Sequence, residues 1–347
     1  MRAIPSLDGL RAVAIACVLL SHFAASSGAP PGLAGPALRE CARLGVQLFF
    51  VISGYLITAL LLREARETSR ISILGFYGRR AVRILPAFLA CVAVTAALVG
   101  AGLLHVPRED FARALTFTMN VGPDPSWPLG HFWSLSTEEQ FYLVWPLTLA
   151  TLGTRGGGAI AVLAVALPSI RFVALRFAPW LSGPIWSVFP NGADGIAAGC
   201  LLALGWDWLT ARRWHARLVS GPAAWVLLLV PVATIALADH PRPYFALALL
   251  QNIPLVLLLD RVVRRPADAV GRFLNHRGVA TVGVLSYSAY LWQQMFTDPD
   301  GASVRFPLNV AGFVVATGLS FYCIERPLLG LRARLRSRVS RHSTLAP

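Results

Sequence analysis

Gly9-Leu10-Arg11-Ala12-Val13-Ala14-Ile15-Ala16-Cys17-Val18-Leu19-Leu20-Ser21-His22 is an apolar run with an arginine near one end and a histidine at the other. With its flanks it reaches the roughly 20 residues that cover a bilayer's hydrocarbon core, so it predicts a membrane-spanning helix. Its two ionisable groups are expensive there. A charged side chain at the bilayer centre costs about 3 kcal/mol on insertion scales, which makes each of them a functional-site candidate. Eleven residues of helix separate Arg11 from His22, or about 16 Å. Arg11 can snorkel to the membrane edge, and His22 then lies near or beyond the midplane.

The pattern recurs along the whole chain of 347 residues, of which 56% are hydrophobic and only 14% charged. Ten candidate spans follow: 9–27, 41–62, 81–104, 131–152, 157–177, 184–205, 221–238, 243–263, 278–297 and 306–324. The predicted fold class is therefore all-α, a polytopic membrane protein with about ten transmembrane helices. Span 184–205 is interrupted by Pro190, Asn191 and Asp194, which suits a broken helix lining a cavity. All 31 basic residues are arginine, and the net charge is +14. Segments on the N-terminal side of the ten spans hold 23 of them and the opposite loops hold eight. That asymmetry predicts both termini in the cytoplasm. It argues against a nucleic-acid partner, which would need a basic soluble face with interleaved aromatics.

The first run also resembles a signal peptide, with small residues from Ala24 to Ala29. Asp8 and the weakly basic start favour an uncleaved helix instead. Five scattered cysteines show neither pairing nor metal spacing, so no metal site is expected. No repeat or linker divides the chain, and residues 1–347 read as a single integral-membrane domain without an appended soluble domain. The arginine-rich tail suits contact with an anionic leaflet.

Span 131–152 runs opposite to the first, and Glu138 lies seven residues past His131, about 10 Å along the helix. Glu138 and His22 are thus expected at similar depth, where a carboxylate would fix the imidazole tautomer and raise its basicity. The plainer alternative has His22 bonded to a backbone carbonyl and Glu138 capping a helix start. Ser134, Glu138 and Tyr142 share one helix face at i, i+4, i+8, while Glu139 and Gln140 lie on others. Ser134 and Tyr142 read equally as substrate groups or as helix–helix hydrogen bonds. In Gly78-Arg79-Arg80-Ala81-Val82-Arg83, Arg80 and Arg83 are i, i+3 neighbours suited to phosphate. Topological anchoring is the alternative.

Six strings together resemble the acyltransferase 3 family of polytopic membrane acyltransferases. They are Leu7-Asp8-Gly9-Leu10-Arg11-Ala12 with His22; Gly45-Val46-Gln47-Leu48-Phe49-Phe50-Val51-Ile52-Ser53-Gly54-Tyr55-Leu56-Ile57; Phe76 through Pro86; Phe132 through Leu143; Ser286-Tyr287-Ser288-Ala289-Tyr290-Leu291-Trp292; and Ile324-Glu325-Arg326-Pro327. The resemblance implies transfer of an acyl group, most simply acetyl, from cytoplasmic acyl-CoA (acetyl-CoA) as co-substrate to a hydroxyl of a carbohydrate. A surface polysaccharide or glycolipid in the cell envelope is the implied acceptor, and a bacterial cytoplasmic membrane the implied setting. It casts His22 as general base and Glu138 as its orienting partner, with Asp8, Arg11, Ser134 and Tyr142 in support. Arg79, Arg80 and Arg83 would hold CoA phosphates. No serine or cysteine sits in a nucleophile elbow, which favours direct transfer. Two departures stand out: Gly192-Ala193-Asp194 where many members have arginine-phenylalanine-aspartate, and Gln293 where many have histidine, so position 293 is not carried over as a site. Alternatives are acylation of a small secondary metabolite such as a macrolide, and a non-enzymatic transporter or flippase of a lipid-linked sugar. Transporters usually carry an inverted repeat, and none is visible here.

Overall fold

In the computed structural model the first apolar run becomes α1 (Leu7–Ala25), and it lies inside the bundle, with Leu10, Ala14, Ile15 and Val18 buried. The structure describes residues 4, 6–26, 35–177, 192–220, 243–298 and 306–330. After α1 come α2 (Pro36–Thr68), α3 (Ile73–Gly100), α4 (Arg108–Leu115), α5 (Trp127–Gly130) and α6 (Phe132–Phe177). Next are α7 (Ala193–Leu204), α8 (Trp206–Thr210), α9 (Arg213–Ser220), α10 (Pro243–Arg264), α11 (Ala269–Leu274) and α12 (Arg277–Trp292). A 3-10 turn, Gln293–Met295, closes α12, and α13 (Leu308–Leu319) continues into a π-helical turn over Ser320–Glu325. The fold is all-helical, with no strand among the described residues.

Five stretches are long and apolar enough to cross a membrane: Leu7–Ala25, Ala37–Thr68, Ile73–Gly100, Trp127–Ile170 and Leu308–Gly330. Leu143, Val144, Leu163, Val314 and Val315 point outward from these helices. Continuous apolar surface of this kind suits lipid and would be a liability in water. The chain is a membrane protein. In α6 the backbone leaves helical geometry at Gly153 (φ 65°, ψ −171°), so two helices meet there, in the gap between expected spans 131–152 and 157–177. Of expected span 184–205, residues 184–191 lie outside the described residues, and α7 follows, entered through Gly192 at φ 91°. Span 221–238 lies outside the described residues.

Small residues set how closely the helices approach. A Cβ on Gly199 of α7 would collide with the Val51 carbonyl oxygen of α2, and one on Gly54 with the Ile196 carbonyl oxygen. Overpacking of a tight contact costs about 1–3 kcal/mol. Gly199→Val is therefore expected to lower the thermal unfolding midpoint in detergent, and an unchanged midpoint would contradict this packing. Polar bonds pin the same helices. Trp145 Nε1 donates to Thr58 Oγ1 at 2.9 Å, joining α6 to α2. Asn252 donates to Asp194 Oδ2 at 2.6 Å, and Gln47 Nε2 donates to Asn252 Oδ1 at 2.7 Å and to Asp194 Oδ2 at 3.2 Å. This buried triangle ties α2, α7 and α10. It gives Asp194 two amide partners, although no arginine stands at position 192.

Candidate active site

A cavity of about 410 Å³ opens between α1, α2, α3, α6, α12 and the turns that follow α13. Four arginines line it, Arg11, Arg80, Arg83 and Arg326, with three carboxylates, Asp8, Glu138 and Glu325. The topology explains the grouping. Arg11 lies in the first turns of α1, Arg80 and Arg83 about two and three turns into α3, and Arg326 just past the π turn that ends α13. α1 and α3 begin, and α13 ends, on the same side of the bundle, so one end of the cavity is cationic.

Each arginine is held by its surroundings. Arg11 faces Asp8 at 3.8 Å. The guanidinium of Arg80 sits over the Tyr142 ring, 4.3 Å from its centroid, an arrangement that orients the group without consuming its N–H donors. Arg83 shares its wall with Glu325, which accepts a hydrogen bond from Ser288. Arg79 turns away. It pairs with Glu64 at 2.9 Å and does not line the cavity, so the structure separates it from Arg80 and Arg83.

The deeper wall carries the face expected from α6: Ser134, Glu138 and Tyr142 all line it. Glu138 accepts from Ser53 Oγ at 2.8 Å and from the Tyr142 hydroxyl at 3.2 Å. Ser134 Oγ lies 2.6 Å from the Tyr290 hydroxyl, which in turn lies 3.0 Å from the His131 carbonyl oxygen. Glu139 and Gln140 do face elsewhere. Gln140 bonds Asn120 and the Phe117 carbonyl, and one carboxylate oxygen of Glu139 is buried without a partner among the described residues. The shared face gives a mutational contrast. Glu138→Gln should lose most transfer activity and Glu139→Gln much less; the opposite ranking would show that the wrong carboxylate faces the reaction.

His22 does not meet Glu138. Its Nδ1 lies 2.6 Å from Gln293 Oε1, and Trp127 packs edge-on against its ring with centroids 5.4 Å apart. The reason is depth. The next residue, Gln294, bonds both the backbone N–H and the ring of His131 (2.8 and 2.7 Å), which places His22 level with the start of α6. Glu138 is seven residues further on, about 10 Å deeper, and its oxygens are taken by Ser53 and Tyr142. The two imidazoles also differ. His131 is buried and both its ring nitrogens face acceptors, Gln294 Oε1 and the Leu291 carbonyl oxygen at 3.1 Å. His22 keeps its Nε2 without a hydrogen bond among the described residues.

Sequence reasoning passed over Ser53, Tyr290, Glu325, Arg326 and Gln293. All five fall within or beside the motif strings, but Ser53, Tyr290, Glu325 and Gln293 meet partners distant in the chain.

Comparison with known proteins fits this architecture. The family described as an acyltransferase domain, acyltransferase 3, matches residues 4–325. The chain belongs to the acyltransferase 3 family. That places it among enzymes that transfer acyl groups. The O-acetyltransferase OatA of Staphylococcus aureus (strain NCTC 8325) is 27% identical over 84% of this chain and 50% of its own length. A protein of Bacillus subtilis named "Putative peptidoglycan O-acetyltransferase YrhL" is 28% identical over 94% of this chain and 55% of its own. A second S. aureus protein (strain COL), named "Putative O-acetyltransferase", is 38% identical over 94% of this chain and 57% of its own. The chain thus spans about half the length of the curated relatives it matches. No solved structure matches it.

Proposed function

We propose that this protein is an O-acyltransferase of the bacterial cytoplasmic membrane, with ten spans and both termini cytoplasmic, that moves an acetyl group from acetyl-CoA to a hydroxyl of an envelope carbohydrate. The observation that carries the reading is the cavity itself. It joins a cationic end, on the side where α1 and α3 begin, to a wall of Ser134, Glu138 and Tyr142; His22 does not line the cavity and stands beyond its Ser134 end, level with the start of α6. Arg80 and Arg83 are placed to hold CoA phosphates as charge-assisted forks, with Arg11 and Arg326 beside them. Arg79, paired to Glu64, is left out of that set. Four guanidinium groups against three carboxylates fit a polyanion at this end.

In the proposed reaction His22 Nε2 takes the proton of the acceptor hydroxyl, and its oxygen attacks the thioester carbonyl. The new C–O bond forms as the C–S bond breaks, and the CoA thiolate leaves to take up a proton. Glu138, held by Ser53 and Tyr142, shapes the cavity wall and does not orient the base. The carbohydrate acceptor is supported by the names of the relatives, one of which is named "Putative peptidoglycan O-acetyltransferase". The test is transfer of radiolabelled acetyl from acetyl-CoA to a panel of saccharide acceptors by purified protein in nanodiscs. Labelled ester on an acceptor is expected, and CoA-independent movement of a lipid-linked sugar with no ester formed would replace the reading with a flippase.

A further inference from the structure

Gln293 has a structural role that its motif position did not announce. It is the first residue of the 3-10 turn that closes α12, and its side chain is fully buried. The turn is pinned where Gln293 sits, because its carbonyl oxygen accepts from Phe296 N at 3.0 Å and from Thr297 Oγ1 at 2.9 Å. From this anchored backbone the amide oxygen reaches His22 Nδ1 at 2.6 Å, while the amide nitrogen is buried without a partner among the described residues. An amide oxygen only accepts, so the hydrogen in this bond belongs to Nδ1. A neutral imidazole with its proton on Nδ1 has its lone pair on Nε2.

We infer that Gln293 is the positioning residue of this enzyme: it holds His22 in the Nδ1–H tautomer and presents Nε2 as the proton acceptor. This deepens the proposed transfer reaction and rests on it for its catalytic meaning. The part expected of Glu138 thus falls to an uncharged amide on another helix. The adjacent Gln294 makes the matching bond to His131 Nδ1, but that ring also has its Nε2 against the Leu291 carbonyl. Two neighbouring glutamines therefore fix two imidazoles, and only His22 has a ring nitrogen left for chemistry.

The test reads the tautomer and turnover separately. Protein labelled with ¹⁵N-imidazole histidine in nanodiscs gives seven histidine signal sets, and His22→Ala identifies the one from His22. The unmodified protein should show a protonated Nδ1 and a bare Nε2. Gln293→Met, close in size but without the amide acceptor, should mix or reverse the tautomers. It should also lower kcat about a hundredfold, as misplacement of a reacting group does, with KM for acetyl-CoA unchanged. Gln293→Glu, which keeps the acceptor oxygen, should restore the tautomer and much of kcat. A protonated Nε2 in the unmodified protein overturns the inference, as does a Gln293→Met protein with unmodified tautomer and kcat. Because the tautomer is read without turnover, a protein that transfers no acyl group would sink the proposed reaction, while the NMR signal alone would still decide the pairing.

Discussion

His22→Ala should abolish acyl transfer while leaving expression, membrane insertion and CoA binding intact. Removing a positioned general base costs about 10²–10⁴-fold in rate, and no second imidazole among the described residues is placed to take over. His131 has both nitrogens engaged and is buried beneath Gln294 and Leu291. The fold should tolerate the change, since His22 is partly exposed and its one side-chain hydrogen bond among the described residues is to Gln293. Acceptor acylation at the unmodified rate by the purified variant would remove His22 from the mechanism.

The second large effect concerns the cationic end of the cavity. Each charge-assisted contact to phosphate is worth about 1.5–3 kcal/mol, so Arg83→Ala should weaken acyl-CoA binding about ten- to a hundredfold. The Arg80 and Arg83 double-alanine protein should lose more. Two controls separate phosphate binding from general charge. Lysine at position 83 keeps the charge but loses the planar fork, and should rescue only in part. Arg83→Ala also leaves Glu325 on the cavity wall with one fewer cationic neighbour, so adding Glu325→Gln should recover some affinity. Calorimetry with CoA and with CoA lacking its 3′-phosphate measures these differences. Equal affinity for CoA in the double-alanine and unmodified proteins would return the pair to a role in topology alone.

How far the sequence reached follows from the range of each interaction. Short-range patterns were legible. The i, i+4, i+8 face of Ser134, Glu138 and Tyr142 and the Arg80–Arg83 pair depend only on helix periodicity, and both sets line one cavity. The break at Gly153 was legible as a gap between two apolar runs. Depth and neighbour were not. Counting residues from each helix end placed His22 and Glu138 at similar height, but helix phase does not say which helix a side chain will face. His22 finds its partner 271 residues away and Glu138 finds Ser53 85 residues away. Arg79 was grouped with Arg80 and Arg83 because it adjoins them, yet a neighbouring helical residue points about 100° away, and it meets Glu64. At Gln293 the departure from the family pattern led the sequence reading to set the position aside, and only the folded chain brings it to His22.

The account stands most directly on a single-turnover experiment with stoichiometric acetyl-CoA, labelled in the acetyl group, on purified protein in nanodiscs with a saccharide acceptor present. The unmodified protein should release one free CoA for each labelled ester formed, and His22→Ala should bind the same acetyl-CoA yet form no ester. Ester formation by the His22→Ala protein at the unmodified rate, or release of CoA by the unmodified protein with no label on any acceptor, would contradict it.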